Sequence, residues 1–115
     1  HFDDAIGVYQ EAIDEIPSDP EPYLEIATLL SEKVGDHEKA AVWLRRALQE
    51  TVLWGRWEVV LVRDLTELYR HRIAEPSRAA PLLAKIAERY EGTADGDWAR
   101  EELAEVKRLM VEDAE

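Results

Sequence analysis

Cysteine is missing from the 115 residues, which removes disulfide frameworks, thiolate metal sites and thiol nucleophiles together. Long apolar runs are missing as well. The most apolar stretch, Val52 to Leu65, is interrupted by Arg56, Glu58, Arg63 and Asp64, whereas a membrane-spanning helix needs roughly 20 uninterrupted apolar residues. Direct membrane insertion is therefore not expected. Strand-forming runs are scarce, no glycine-rich phosphate loop is present, and residues 1–32 hold no Lys or Arg. An initiator Met is lacking too, so the His1-Phe2 opening reads as the start of a piece of a longer protein. The compartment stays open among cytoplasm, the first expectation, periplasm and a membrane-tethered position.

Catalytic signatures are equally thin. His1, His37 and His71 are isolated, with no pair at helical ligand spacing, so neither a metal nor a cofactor is expected. Ser18, Ser31 and Ser77 lack a nucleophile-elbow context and read as turn or cap residues. The acidic run Asp3, Asp4, Glu11, Asp14, Glu15 reads as a solvated helix face rather than an acid/base pair. An enzyme is not expected.

What the chain does contain is 46% apolar and 35% charged residues. That is too apolar for disorder, and it suits helices with one dry and one wet face. A chain of this size buries roughly two-thirds of its unfolded surface around one core, so residues 1–115 read as a single domain. The net charge of −12 is unevenly spread. Residues 1–32 carry nine acidic side chains, residues 33–90 eleven basic against eight acidic, and residues 91–115 nine acidic against three basic. Acidic ends repel nucleic acid and anionic membranes, so neither is an expected partner. The same field is either a solvated acidic surface or a means of steering a basic partner to the ends.

Apolar spacing predicts six helices, at about 3–16, 22–34, 37–52, 56–72, 77–90 and 97–112. Pro17 and Ser18-Asp19-Pro20 end the first, Gly35 stops the second, and Asp36 is placed to cap the third. Pro81 fits only near the start of the fifth helix or at a kink. Trp98, Leu103, Val106 and Met110 form the predicted apolar stripe of the sixth, whose opposite face is charged as in a terminal cap. Val42, Trp43 and their neighbours form a broad apolar sector on the third.

An internal repeat runs through these helices. Ala5, Tyr9 and Ala12 recur as Ala40, Leu44 and Ala47, and again as Ala79, Leu83 and Ile86. Each set lines up along one helical face, a small residue admitting a neighbouring helix and a larger one filling the space beside it. Phe2-Asp3-Asp4-Ala5-Ile6 with Tyr9, Ala12 and Pro17, then Tyr23, Ile26, Ala27 and Leu30, resemble the second helix of one tetratricopeptide repeat and the first of the next. Gly35-Asp36 matches the turn between paired helices, displaced by one residue, and Val62, Leu65, Thr66 and Tyr69 fit the first helix of the following unit. The resemblance implies an all-α fold of antiparallel helix pairs stacked as a short right-handed solenoid.

It also implies that a protein or peptide partner lies along the first helix of each pair. By register, that nominates Leu24, Thr28, Ser31 and Glu32 on the second helix, and Arg63, Glu67, Arg70 and His71 on the fourth. Those residues do not reproduce the family's carboxylate clamp, so chaperone-tail binding is not expected. Arg63 and Arg70 either meet an acidic segment of a partner or are solvated or paired with Glu67. Trp43 and Trp98 are expected to pack between helices. Trp54 and Trp57 flank a turn, where they either pack between helices or form an exposed patch. The first helix lacks its pair, which leaves self-association through it, or through the Trp54-Trp57 corner, as an alternative function. A small-ligand site between helices is a further alternative.

Overall fold

Proline, glycine and short polar side chains set the helix ends. Pro20 and Pro22 bracket the start of one helix, where a missing amide costs nothing, while the Asp19 carboxylate accepts the Glu21 amide at 3.0 Å. Gly35 takes a left-handed conformation (φ 80°), and the Asp36 side chain then accepts the Lys39 amide at 3.0 Å as the N-cap of the next helix. Pro81 lies in the first turn of the fifth helix, as its fixed φ requires.

The computed structural model describes residues 1–114, and every regular element among them is helical. In order these are α1 (Phe2–Glu15), α2 (Glu21–Leu29) running into a π turn (Leu30–Val34), α3 (His37–Glu50) and α4 (Trp57–Glu67) running into a second π turn (Leu68–Arg72). A 3-10 turn (Pro76–Ala79) then leads into α5 (Ala80–Arg89), followed by α6 (Ala94–Ala114). No helix among the described residues is long and apolar enough to cross a membrane.

The described chain forms two compact units, one from His1 to Leu61 and one beginning at Val62. In the first, α2 packs against α3. Its core joins Tyr23, Ile26, Ala27 and Leu30 to Ala40, Ala41, Leu44 and Ala47, all buried. The alanines bring the two helix axes close, and each large side chain fills what they leave. α1 packs chiefly on α2 and contributes no buried residue. In the second unit α5 packs against α6, and the core includes Val62, Leu65, Tyr69, Ala79, Leu83, Ile86, Ala99 and Val106. Thr66 is buried there with its hydroxyl donated to the Val62 carbonyl at 2.7 Å.

Buried positions recur at a constant separation of 39 residues: Tyr23 and Val62, Ile26 and Leu65, Ala27 and Thr66, Leu30 and Tyr69, Ala40 and Ala79, Leu44 and Leu83, Ala47 and Ile86. The backbone follows the same register. The Asp36 amide donates to the Leu30 carbonyl at 2.9 Å, and 39 residues later the Glu75 amide donates to the Tyr69 carbonyl at 2.7 Å. Gly35 at φ 80° has its counterpart in Ala74 at φ 61°. A π turn holds one residue more than the α-helical turn it replaces, and the first π turn lies directly ahead of Gly35-Asp36.

Several expectations change. α6 begins at Ala94, three residues before the predicted 97, because the Thr93 hydroxyl accepts the Gly96 amide at 3.1 Å and the Thr93 carbonyl accepts the Asp97 amide at 3.0 Å. On this helix Ala99 and Val106 are the buried residues of the stripe, and Met110 is exposed. Val42 on α3 is exposed as well. Of the three repeat sets, Ala5, Tyr9 and Ala12 are only half-buried, since α1 is covered from one side.

Candidate functional site

In the second unit α4 and its π turn place Arg63, Glu67, Arg70 and His71 along one stripe, with spacings of four, three and one. α6 places Asp95, Trp98 and Glu102 beside that stripe, Asp95 within the part of the helix that precedes the predicted start. The Arg63 guanidinium stacks on the Trp98 ring, 4.1 Å from its centroid, with Asp95 at 3.7 Å. Arg70 forms an ion pair with Glu102. His71 Nε2 lies 3.8 Å from the Glu67 carboxylate, one helical turn away on the open side. Arg63, Glu67, Arg70, His71, Trp98 and Glu102, with Asp64 and Thr66, line a cavity of about 310 Å³.

The partners of the two arginines are therefore on α6. Arg70 is largely shielded, the Arg63 side chain stays 41% exposed, and neither pairs with Glu67. The Nε atoms of both are buried with no hydrogen-bond acceptor, so each arginine is held at some cost and gains less from pairing than its contacts imply. An acidic partner would compete with Glu102 for Arg70 and with Asp95 for Arg63. Of the four residues nominated here, Glu67 and His71 are the exposed ones, and Asp64 beside them in the groove is exposed as well.

In the first unit the four nominated residues of α2 and its π turn divide differently. Leu24 is half-buried, the Thr28 hydroxyl donates to the Leu24 carbonyl at 2.9 Å, and Ser31 Oγ lies 2.9 Å from His37 Nδ1. Glu32 alone of the four is exposed. Both hydroxyls are thus used locally, and His37, isolated in the sequence, has a partner across the turn.

A cluster not anticipated from the sequence lies at the rim of the α2–α3 contact. The Arg46 guanidinium sits 4.5 Å from the Trp43 ring centroid and 5.6 Å from that of Tyr23. Glu50 accepts from Arg46 at 3.4 Å and from the Tyr23 hydroxyl at 3.3 Å. Desolvation of the phenol, then the neighbouring Glu50 carboxylate, pushes the Tyr23 pKa above its ordinary value. Trp43 is 5.8 Å from Tyr23 and half-buried, so it packs between helices only on one face and lies under Arg46 on the other. Trp98 is likewise half-buried, beneath Arg63.

Trp54 and Trp57 meet edge to face, 6.4 Å apart at 73°. Trp57 is half-buried, but Trp54 is 66% exposed with Val52 beside it in sequence exposed as well. The corner is an exposed apolar patch. On α6, Arg108 is forked between Glu105 and Glu112 on the solvent side, which raises the guanidinium pKa and lowers that of Glu105 through the Arg108 hydrogen bond. Among the described residues no group of three or more His, Asp or Glu side chains is placed to hold a metal ion. Comparison with protein-family models, with curated proteins and with solved structures finds no match to this chain.

Proposed function

We propose that the chain is a protein-interaction scaffold built of tetratricopeptide-like helix pairs, which presents the exposed sides of its first helices to a peptide or helix of a partner and carries out no chemistry of its own. The observation that carries the reading is the 39-residue recurrence of buried positions, turn hydrogen bond and left-handed turn residue. Repeated pairs of this kind bury one face against neighbours and leave another free for binding. The antiparallel pairing, the right-handed solenoid and the tetratricopeptide kinship are parts of this proposal.

Within it, Glu67 and His71 in the second unit and Glu32 in the first are the groove residues free to meet a partner, since Thr28, Ser31, Arg63 and Arg70 are engaged internally. Affinity capture followed by mass spectrometry tests the assignment. The triple variant Glu32→Ala, Glu67→Ala, His71→Ala should lose proteins that the parent chain retains. An unchanged set of captured proteins would remove the groove from the proposal.

A second reading, self-association, is favoured by the exposure of Trp54. Sedimentation velocity over a range of concentrations separates the two readings. A dimer that dissociates in the Trp54→Ser variant supports association through the corner, and a monomer at every concentration removes it.

A further inference from the structure

We infer that the groove between α1 and the start of α2 is the docking site for an amphipathic helix of another protein, one that carries Lys or Arg beside an apolar stripe. The inference rests on the scaffold reading but uses a different surface. α1 has no buried residue, although Ala5, Ile6, Tyr9, Ala12 and Ile13 share one face and Phe2 and Ile16 extend it, 43% and 58% exposed. An apolar face this wide on a helix covered from one side is a surface for a second helix.

The groove shows what that helix must bring. Its floor is Tyr9, Ala12 and Pro22, its rim is Asp19, Glu21 and Glu25, and it encloses about 290 Å³. Glu21 and Glu25 have no cationic partner among the described residues, and residues 1–32 contain no Lys or Arg to supply one. A purely apolar visitor would strip water from those carboxylates without replacing it, which is costly. A visitor with Lys or Arg flanking apolar side chains fills the floor and neutralises the rim together. A second copy of the chain is a poorer occupant, because two bodies of net charge −12 repel one another.

The test uses a synthetic amphipathic helical peptide of leucine and lysine, and its leucine-glutamate counterpart, with amide chemical-shift mapping and fluorescence anisotropy on the full chain. The lysine peptide should shift resonances around Tyr9, Ala12, Glu21 and Glu25, and the glutamate peptide should not. Glu21→Gln with Glu25→Gln should weaken binding about fivefold or more, whereas Glu88→Gln with Glu101→Gln, the same charge change in the second unit, should leave it within about twofold. Tyr9→Ser should weaken binding at unchanged charge, with circular dichroism reporting that the helices persist. Equal weakening by both charge pairs would mean attraction to bulk charge and overturn the inference. Shifts confined to residues 63–71 would overturn it while leaving the scaffold groove standing, and a self-dimer that excludes the peptide would overturn it in favour of a second copy.

Discussion

The carbonyl oxygen of Tyr90 lies 2.1 Å from where a β-carbon on Gly96 would stand. Gly96 is buried in the first turn of α6, and the Thr93 hydroxyl ties the turn together by donating to Tyr90 at 2.6 Å and accepting from Gly96. Backbone, unlike the tip of a side chain, cannot step aside cheaply. Gly96→Ala should therefore destabilise the chain by about 1–3 kcal/mol. Gly7, within α1 and with open space around it, is the control: Gly7→Ala should stabilise by about 0.5–1 kcal/mol. Urea denaturation midpoints of the two variants, moving in opposite directions, check both.

Ala74 is the one non-glycine residue at positive φ among those described, in the turn position that Gly35 fills 39 residues earlier. A left-handed alanine is strained by roughly 1–2 kcal/mol. Ala74→Gly should raise stability by about 0.5–1 kcal/mol after the added freedom of the unfolded chain is subtracted. A lower thermal midpoint in that variant would show that the strain is relieved some other way.

Tyr23 gives the molecule an alkaline weakness. Its pKa is raised in the folded state, so above the ordinary value of 10.0 the unfolded chain gives up the phenolic proton before the folded one does. Bound protons are then more numerous in the native state, and stability falls as pH rises from there through the raised folded pKa. Below pH 10.0 the contribution is fully present. Tyr23→Phe should flatten that part of the stability profile, and should remove a late-ionising component from the phenolate absorbance titration.

The Arg70–Glu102 pair is 16% and 25% exposed at its two side chains. Removing one partner leaves the other poorly hydrated, so Arg70→Ala should cost about 1–2 kcal/mol, less than a fully buried pair would. Replacing both by Met should recover most of that loss, because the desolvation goes with the charges. A thermodynamic double-mutant cycle measures the difference.

The helices were legible because their signals are local. Apolar spacing at three and four residues and the Pro20, Gly35-Asp36 and Pro81 punctuation located all six to within a few residues. The three residues by which α6 exceeds the predicted helix include Gly96, a poor helix former in sequence terms, whose place is set by the close approach of the Tyr90 carbonyl. The groove residues Arg63, Glu67, Arg70 and His71 do line one cavity. That Asp95, Trp98 and Glu102 hold the two arginines depends on how α6 packs, which no spacing along the chain encodes. Nor do composition and periodicity reveal a π turn, whose extra residue is a matter of backbone hydrogen bonding.

Those two π turns make the ends of α2 and α4 places where chain length is negotiable. Loss of a single residue at Leu30–Val34 or Leu68–Arg72 has an ordinary α-helical path available to it, whereas the same loss inside α3 would turn every later side chain of that helix by about 100°.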